Sequence, residues 1–242
     1  MSIQQVIENE DFYHVFQPIF EISNWRKVGY EVLLRTKCAI NPEKIFQEAK
    51  KENQLFELDS LSIRKAVRTF FSEVSQKDGY LFINVFPSSI IHPKFPSLLN
   101  TVIAEKNIYS QQDCIHTKIV FEIAESEMIS DVHFETFKER IAQIKEHGIL
   151  IAIDDIGKGF NTLQLLIEIA PNFLKLDRYF AKDLFLSKQK QTMIDLLIKY
   201  CDQHNCKLIL EGIEKDTELA AAKYIGVRFT QGYLLGRPGM LE

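Results

Sequence analysis

The sequence contains no run of apolar residues that approaches the roughly 18–20 residues of a membrane span. The first residues, from Met1 to Asp11, are polar and acidic, and they lack the basic start and apolar middle of a secretory signal. These two absences predict a cytoplasmic protein with no membrane partner.

Cysteine is scarce, and the four residues present have no CxxC spacing: Cys38, Cys114, Cys201 and Cys206. Without a secretory signal they are expected to be reduced thiols and not a disulfide framework. Cys201, His204 and Cys206 are close in the chain, but a zinc site needs about four ligands and no second cluster exists. The cysteines therefore give no basis for expecting zinc.

Several familiar catalytic motifs are also missing, namely GxGxxG, GxSxG and HExxH. Gly157, Lys158 and Gly159 resemble a phosphate loop only superficially, because a Walker loop is longer and its lysine precedes Ser or Thr. There is no excess of basic residues either: 29 Lys and Arg face 33 Asp and Glu, for a net charge of -4. That balance argues against a partner that is polymeric nucleic acid.

What the sequence does contain is an alternation of strand-like and helix-like segments. The predicted strands are His14–Ile22, Val28–Leu34, Tyr80–Val85, Lys118–Ile123, Ile149–Ile153, Phe173–Leu176, Lys207–Leu210 and Val227–Thr230. The predicted helices are Pro42–Lys51, Leu55–Phe71, a segment with apolar Phe134, Phe137, Ile141 and Ile144, and a segment with Met193, Leu196, Leu197 and Tyr200. Several strands are apolar at consecutive positions, which is typical of parallel strands covered by helices.

This order and length predict a single α/β domain over residues 1–242, a modified (β/α)8 barrel of the TIM type. Ser23 and Asn24 between the first two strands indicate a hairpin, so the first strand is expected to be antiparallel. A doubly wound open sheet is the main alternative, but it often carries a GxGxxG turn after its first strand.

Polar residues lie within or directly after most of the predicted strands. They are Glu31, Asn84, Glu122, Asp154, Asp155, Lys175, Asp177, Glu211 and Gln231. A single carboxylate at such a position is usually a helix cap or a solvated loop residue. In a parallel barrel, however, the C-terminal ends of all strands meet at one rim, where active sites are found. The pattern therefore predicts a cluster of carboxylates, an amide and a lysine at one mouth.

Like charges that share a mouth of low polarity must be protonated or bind cations. Carboxylates with an amide oxygen are hard ligands that suit magnesium, manganese or calcium. The adjacent Asp154 and Asp155 are suited to two ions held about 3.5–4 Å apart, an arrangement that supports in-line displacement at phosphorus.

The order of the motifs resembles the EAL family of bacterial phosphodiesterases. The matching segments run from Gln17-Pro18-Ile19 through Glu31-Val32-Leu33-Leu34-Arg35, Ile83-Asn84-Val85, Phe121-Glu122-Ile123-Ala124-Glu125, Asp154-Asp155-Ile156-Gly157, Leu174-Lys175-Leu176-Asp177, Leu210-Glu211-Gly212-Ile213-Glu214 and Gln231-Gly232-Tyr233 to Gly236-Arg237-Pro238. The resemblance implies hydrolysis of cyclic di-GMP to linear pGpG, which lowers a second messenger of motility and biofilm. It also implies two Mg²⁺ or Mn²⁺ ions, inhibition by Ca²⁺, and a homodimer formed through the loop after Asp155.

The resemblance assigns roles by position. Its metal ligands are Glu31, Asn84, Glu122, Asp154 and Asp155, and Glu211 is either a ligand or the general base. Lys175 is implied to stabilise the attacking water or the phosphate, and Glu125 to anchor the loop after Asp155. Its substrate-binding residues are Gln17 near a guanine, Arg35 at a phosphate, and Asp177, Gln231 and Glu214 around water and substrate.

Some positions depart from the family pattern. Ala124 replaces the usual threonine, and Ile156, Lys158, Phe160 and Asn161 replace Phe, Thr, Tyr and Ser in the loop after the paired aspartates. Residues that support ligands tune metal affinity. The alternative interpretation is therefore a catalytically weak or inactive cyclic di-GMP receptor or protein-interaction module.

Overall fold

A closed barrel of eight strands forms the centre of the protein, in a computed structural model that describes residues 2–37, 41–73, 79–109, 117–124, 131–156 and 162–241. The strands are β1 (Phe12–Glu21), β2 (Arg26–Thr36), β3 (Tyr80–Val85), β4 (Lys118–Ala124), β5 (Leu150–Ile156), β6 (Phe173–Leu176), β7 (Lys207–Leu210) and β8 (Phe229–Thr230). Strand β1 is antiparallel to both β2 and β8, and every other neighbouring pair is parallel. The predicted barrel with an antiparallel first strand is confirmed.

Helices connect and cover the strands. Those described are α1 (Ile3–Glu8), α2 (Pro42–Lys51), α3 (Leu55–Glu73), α4 (Pro87–Ile90), α5 (Phe95–Tyr109), α6 (Asp131–Glu146), α7 (Thr162–Ile169), α8 (Arg178–Ala181), α9 (Lys188–Gln203) and α10 (Asp216–Ile225), with a 3₁₀ turn at Leu184–Leu186. Their ends follow ordinary capping chemistry: Asn41 accepts a hydrogen bond from the backbone N–H of Glu43, and Pro42 occupies the first turn of α2. No helix among the described residues is both long and apolar enough to span a membrane.

Helix α9 forms where predicted, and Leu197 and Tyr200 of its expected face pack against the core, but the other half of that face is exposed. Met193 and Leu196 are 47% and 55% exposed, whereas Ile194 and Cys201 are buried. Successive helical residues are about 100° apart, so a shift of one residue turns the apolar stripe away from the expected face. The apolar spacing alone could not choose between the two stripes.

The barrel interior is built in layers. The apolar layer is the cluster of Ile19, Val28, Phe82, Val120, Ala152, Phe173, Ile209 and Phe229. Side chains alternate along a strand, so the residue two positions further along a parallel strand faces the interior one layer higher. That next layer contains Asn84, Glu122, Asp154, Lys175, Glu211 and Gln231, and β1, which runs the other way, contributes Gln17. The alternation of the barrel therefore places the predicted polar residues at one mouth.

Strand β5 carries an irregularity beside this mouth. Ile153 pairs with Leu174 and Ile156 with Leu176, so β5 has one more residue than β6 between these pairs. Asp155 has a φ of 58°, in the left-handed region that few non-glycine residues adopt. The extra residue changes the ordinary alternation, which would place Asp154 and Asp155 on opposite faces.

Candidate metal centre

A single buried lysine lies at the centre of the polar layer. The Nζ atom of Lys175 lies 2.5 Å from Glu122 Oε1, 2.7 Å from Glu211 Oε1, 3.5 Å from Glu31 Oε2 and 3.6 Å from Asp154 Oδ1. The side chains of Lys175 and Glu122 have no exposure to solvent, and that of Glu211 is 18% exposed. Four carboxylates, three within strands and Glu211 directly after β7, thus surround one ammonium group.

These ion pairs leave polar atoms incompletely satisfied. Both carboxylate oxygens of Glu122, Oδ1 of Asp154 and Nζ of Lys175 have no contact with the geometry of a hydrogen bond. Burial raises the pKa of Glu122 well above its usual range, against the opposing charge of Lys175. Burial alone would lower the pKa of Lys175, but the surrounding carboxylates together raise it well above its ordinary value. The lysine is therefore held in its charged form.

Asp154, Asp155 and Glu211 form a second grouping beside the lysine. One ligand oxygen from each lies within 4.8 Å of the others, and the three side chains are partly exposed. The irregularity in β5 accounts for the shared direction of the adjacent aspartates. Burial raises the pKa of Glu211 to about 8, with the negative charge of Asp154 adding to the shift and Lys175 opposing it.

The residues present fit a divalent cation. Four carboxylates surround one ammonium group and Asp155 lies beside them, so negative charges outnumber the positive one; burial raises the pKa values of Glu122 and Glu211, and the neighbouring carboxylates add to the rise. The candidate ligand atoms of these side chains are all carboxylate oxygens, which magnesium, manganese and calcium prefer. Asp154, Asp155 and Glu211 are the described residues whose ligand atoms converge closely enough to hold an ion.

Gln231 connects two predicted residues across the barrel seam. Its Nε2 donates hydrogen bonds to Oε1 of Gln17 at 3.0 Å and to Oε2 of Glu31 at 2.5 Å. Gln17 in turn donates to the backbone carbonyl of Gly236 at 3.0 Å. Gln231 and Gln17 are 2% and 8% exposed, so this chain of hydrogen bonds fixes the orientation of the Glu31 carboxylate.

Two cavities open beside the polar layer. One of about 210 Å³ is lined by Gln17, Glu31, Asp177, Arg178, Glu211, Gly212, Glu214, Gln231, Gly232 and Tyr233. A larger one of about 630 Å³ includes Glu31, Arg35, Asn84 and Asp155 together with apolar residues of α2 and α3. Asn84 is exposed at the end of β3, and Arg35 donates to the carbonyl of Leu34 at 2.9 Å. Of the predicted metal ligands, Glu31 lines both cavities, Glu211 lines the smaller one, and Asn84 and Asp155 line the larger one.

Asp177 and Glu214 have structural contacts that the sequence did not reveal. Asp177 caps α8 by accepting from the backbone N–H of Tyr179 at 2.8 Å. Glu214 forms a bidentate ion pair with the guanidinium of Arg178, in which Nη2 of Arg178 lies 2.5 Å from Oε2 of Glu214. The stem of Arg178 packs where a side chain at Gly212 would project, and Gly212 has a φ of 71°. Asp177, Glu214 and Arg178 all line the smaller cavity.

Part of the predicted site falls outside the described residues. Glu125 and the loop positions Lys158, Phe160 and Asn161 belong to that part of the chain, whereas Ile156 is buried at the end of β5. Sequence reasoning also missed Arg178, whose only signal was its place directly after Asp177.

The chain is similar to known proteins over nearly its whole length. The sequence profile of the EAL domain matches residues 1–238. "Probable cyclic di-GMP phosphodiesterase PdeI" of Escherichia coli is 29% identical over 98% of this chain and 30% of its own length. "Cyclic di-GMP phosphodiesterase PdeA" of Borreliella burgdorferi is 27% identical over 98% of this chain and 35% of its own length. The chain therefore spans about a third of the length of these relatives.

Solved structures share the fold. Klebsiella pneumoniae BlrP1 in a manganese and cyclic di-GMP complex has a TM-score of 0.82 at 24% identity, covering 95% of this chain and 57% of that one. The FimX EAL domain of Xanthomonas citri in complex with cyclic di-GMP has a TM-score of 0.81 at 18% identity, covering 99% and 92%. At identities this low, the structural similarity establishes only the fold. The profile match establishes the family: the chain belongs to the EAL domain family.

Proposed function

We propose that this protein is a divalent-metal-dependent phosphodiesterase that hydrolyses cyclic di-GMP to linear pGpG. The observation that carries the proposal is the convergence of Asp154, Asp155 and Glu211 oxygens within 4.8 Å, beside a lysine that contacts four carboxylates. The relatives named as cyclic di-GMP phosphodiesterases supply the substrate class.

The residues divide the chemistry among them. Glu31, Asn84, Glu122, Asp154 and Asp155 are the proposed ligands of two Mg²⁺ or Mn²⁺ ions, with Ca²⁺ as an inhibitory substitute. When bound, such ions polarise water and offset charge on phosphate oxygens. Lys175, held charged by its neighbours, contributes a fixed positive charge in a site of low polarity, where it stabilises negative charge developing on the phosphate.

Other side chains hold substrate or move a proton. Glu211 either binds metal or accepts the proton of the attacking water. Its position beside Asp154 and Asp155 suits both roles. Gln17, Asp177, Glu214 and Gln231 line the smaller cavity and are proposed to bind substrate there. Arg35 lines the larger cavity, where its guanidinium is proposed to bind a phosphate. Glu125 is proposed to anchor the loop after Asp155.

The direct test is to incubate the protein with Mn²⁺ or Mg²⁺ and cyclic di-GMP and to separate the products by chromatography. We expect pGpG, and we expect Glu31→Ala and Glu211→Gln each to reduce the rate by at least about a hundredfold. Asp195→Asn is the matched control, because Asp195 is an exposed acid paired with Lys199 on α9. Near-normal turnover in either site variant would mean that its role is misassigned.

A second function, a cyclic di-GMP receptor without turnover, is favoured by one observation. The loop after the paired aspartates contains Lys158, Phe160 and Asn161 where the family has Thr, Tyr and Ser. Binding of cyclic di-GMP without any pGpG at high protein concentration would select this alternative. If Lys158 competes with metal, Lys158→Thr saturates at lower Mg²⁺; an unchanged titration removes that role.

Oligomeric state, extent and location complete the proposal. We propose a homodimer through the loop after Asp155; helix α7, which follows that loop, exposes Leu163 and Ile167, at 71% and 72%, on one helical face. Sedimentation tests the dimer, with Leu163→Glu expected to favour the monomer.

Residues 1–242 are proposed to be one domain, and the free thiols of Cys201 and Cys206 support a cytoplasmic location.

A further inference from the structure

Two cysteines, Cys201 in the last turn of α9 and Cys206 directly before β7, lie at the end of β7 opposite the barrel mouth. The backbone N–H of Cys206 donates to the carbonyl of Cys201 at 3.0 Å, which folds the intervening turn back on itself. The two thiols are close enough to shift each other's pKa, and both line the same pocket. Both are free thiols, and they are 2% and 7% exposed. The fold thus brings two thiols into contact in a fixed geometry.

The contact makes the two sulfurs unequal. The interaction with Cys201 lowers the pKa of Cys206, whereas the same interaction and burial raise the pKa of Cys201. The thiolate is the reactive form of cysteine, so Cys206 is the nucleophile and Cys201 holds the proton that must leave later.

A narrow surface pocket leads to this pair. Its volume is about 40 Å³, and its lining includes both cysteines, Asp202, Gly226 and Arg228. A water molecule needs roughly 10–15 Å³ of such space, so the pocket admits a reagent of a few atoms and excludes bulky disulfides. Hydrogen peroxide is an oxidant of the size that fits.

We propose that Cys201 and Cys206 form a reversible disulfide when hydrogen peroxide enters this pocket. The Cys206 thiolate attacks one peroxide oxygen, the O–O bond breaks, and the released hydroxide takes up a proton as water, leaving Cys206 as the sulfenic acid. The Cys201 sulfur then attacks the Cys206 sulfur, the S–O bond breaks, and the hydroxyl leaves with the Cys201 proton as a second water. The two thiols lose two electrons and the peroxide gains them. The inference is independent of the phosphodiesterase proposal.

The tryptic peptide Tyr200–Lys207 contains both cysteines, so one peptide reports the outcome. The full chain is treated with a small excess of peroxide, quenched with catalase, unfolded in the presence of an alkylating reagent and digested. We expect this peptide to lose two hydrogen atoms and to take up no alkyl group, and a reductant to reverse both changes. A peptide that remains fully alkylated, or one that carries only sulfinic or sulfonic acid, would overturn the proposal.

Two serine variants test the order of events. In Cys201→Ser the sulfenic acid on Cys206 has no partner thiol, and we expect a dimedone-type probe to label it. In Cys206→Ser we expect Cys201 to be labelled at least about tenfold less than Cys206 is in Cys201→Ser, because the Cys201 thiol stays protonated. Equal labelling of the two variants, each confirmed as folded by circular dichroism, would contradict the assignment of Cys206 as the nucleophile.

Discussion

The ammonium group of Lys175 lies 2.5 Å from Oε1 of Glu122, and neither side chain reaches solvent. Burying a charge requires a compensating charge nearby, yet here one lysine faces several acids. An excess of negative charge around a buried cation is a costly arrangement for folding and a favourable one for binding metal ions.

Replacing Lys175 with methionine leaves buried carboxylates without their counter-charge. We expect Lys175→Met to lower the free energy of unfolding by about 3 kcal/mol in a chelator, as is usual when one member of a buried pair is removed. Added Mn²⁺ should restore part of this loss. Lys199→Met, which breaks an exposed pair with Asp195, should change it by no more than about 0.5 kcal/mol. Urea titrations measure both, and equal effects would contradict the buried role of Lys175.

Asp155 combines a ligand position with a left-handed backbone. Glycine adopts a φ near 58° without strain, whereas alanine does not. We therefore expect Asp155→Gly to be more stable than Asp155→Ala by about 1 kcal/mol, although both variants lose the same carboxylate. Metal binding should weaken equally in both. Thermal unfolding provides the comparison, and an alanine variant as stable as the glycine variant would rule out strain at this position.

Gln231 orients Glu31 and should affect metal affinity without touching a metal. We expect Gln231→Met to weaken Mn²⁺ binding by about tenfold to a hundredfold, the range seen when a residue that holds a ligand is removed. Gln17→Met is the matched variant, because the side chain of Gln17 contacts Gln231 but, among the described side-chain hydrogen bonds, makes none to the Glu31 carboxylate. Calorimetric titration with Mn²⁺ distinguishes them; the same loss in both would refute this positioning role.

His14 predicts a pH dependence of stability. Burial, with a smaller effect of the positive charge of Lys65, lowers the pKa of His14 from 6.5 to about 3. Between these values the unfolded chain binds a proton that the folded chain does not, so stability is full above pH 6.5 and falls as the pH drops. The slope due to this residue is about 1.4 kcal/mol per pH unit.

The variant His14→Gln tests that slope. Its free energy of unfolding should decline less steeply than that of the wild type between pH 6 and pH 4, values chosen inside the window from 6.5 to about 3. His133→Gln is the control, since His133 is exposed on α6, and it should keep the wild-type slope. Parallel curves for all three proteins would show that His14 is protonated in the folded state.

Much of the site could be predicted because strand alternation is regular. Tyr80–Val85, Phe173–Leu176 and Lys207–Leu210 form over the predicted residues, and each places its polar residue one layer above an apolar one. Helix α5 was missed, since its apolar residues do not follow one clear stripe and Pro96 lies in its first turn. Helix α1 was missed because it is only six residues long, although a capping box at Ser2 starts it and Ile3 and Val6 are buried.

The features that escaped prediction depend on tertiary structure. The extra residue in β5 is defined only by the pairing with β6, so the sequence could place Asp154 and Asp155 at the mouth but could not give them a shared direction. The ion pair of Arg178 with Glu214 joins residues from different βα units, and no local spacing encodes it. The complete burial of Lys175 follows from barrel closure, which no single strand reveals.

The central claim is that the carboxylates at the barrel mouth bind divalent cations, and Mn²⁺ titration followed by electron paramagnetic resonance tests it most directly. We predict two bound ions per chain in the wild type, with binding lost or weakened by at least about tenfold in Asp154→Asn and in Glu211→Gln. Asp195→Asn, at an exposed acid on α9, should bind as the wild type does. Absence of saturable Mn²⁺ binding, or binding unchanged by both site variants, would contradict the account.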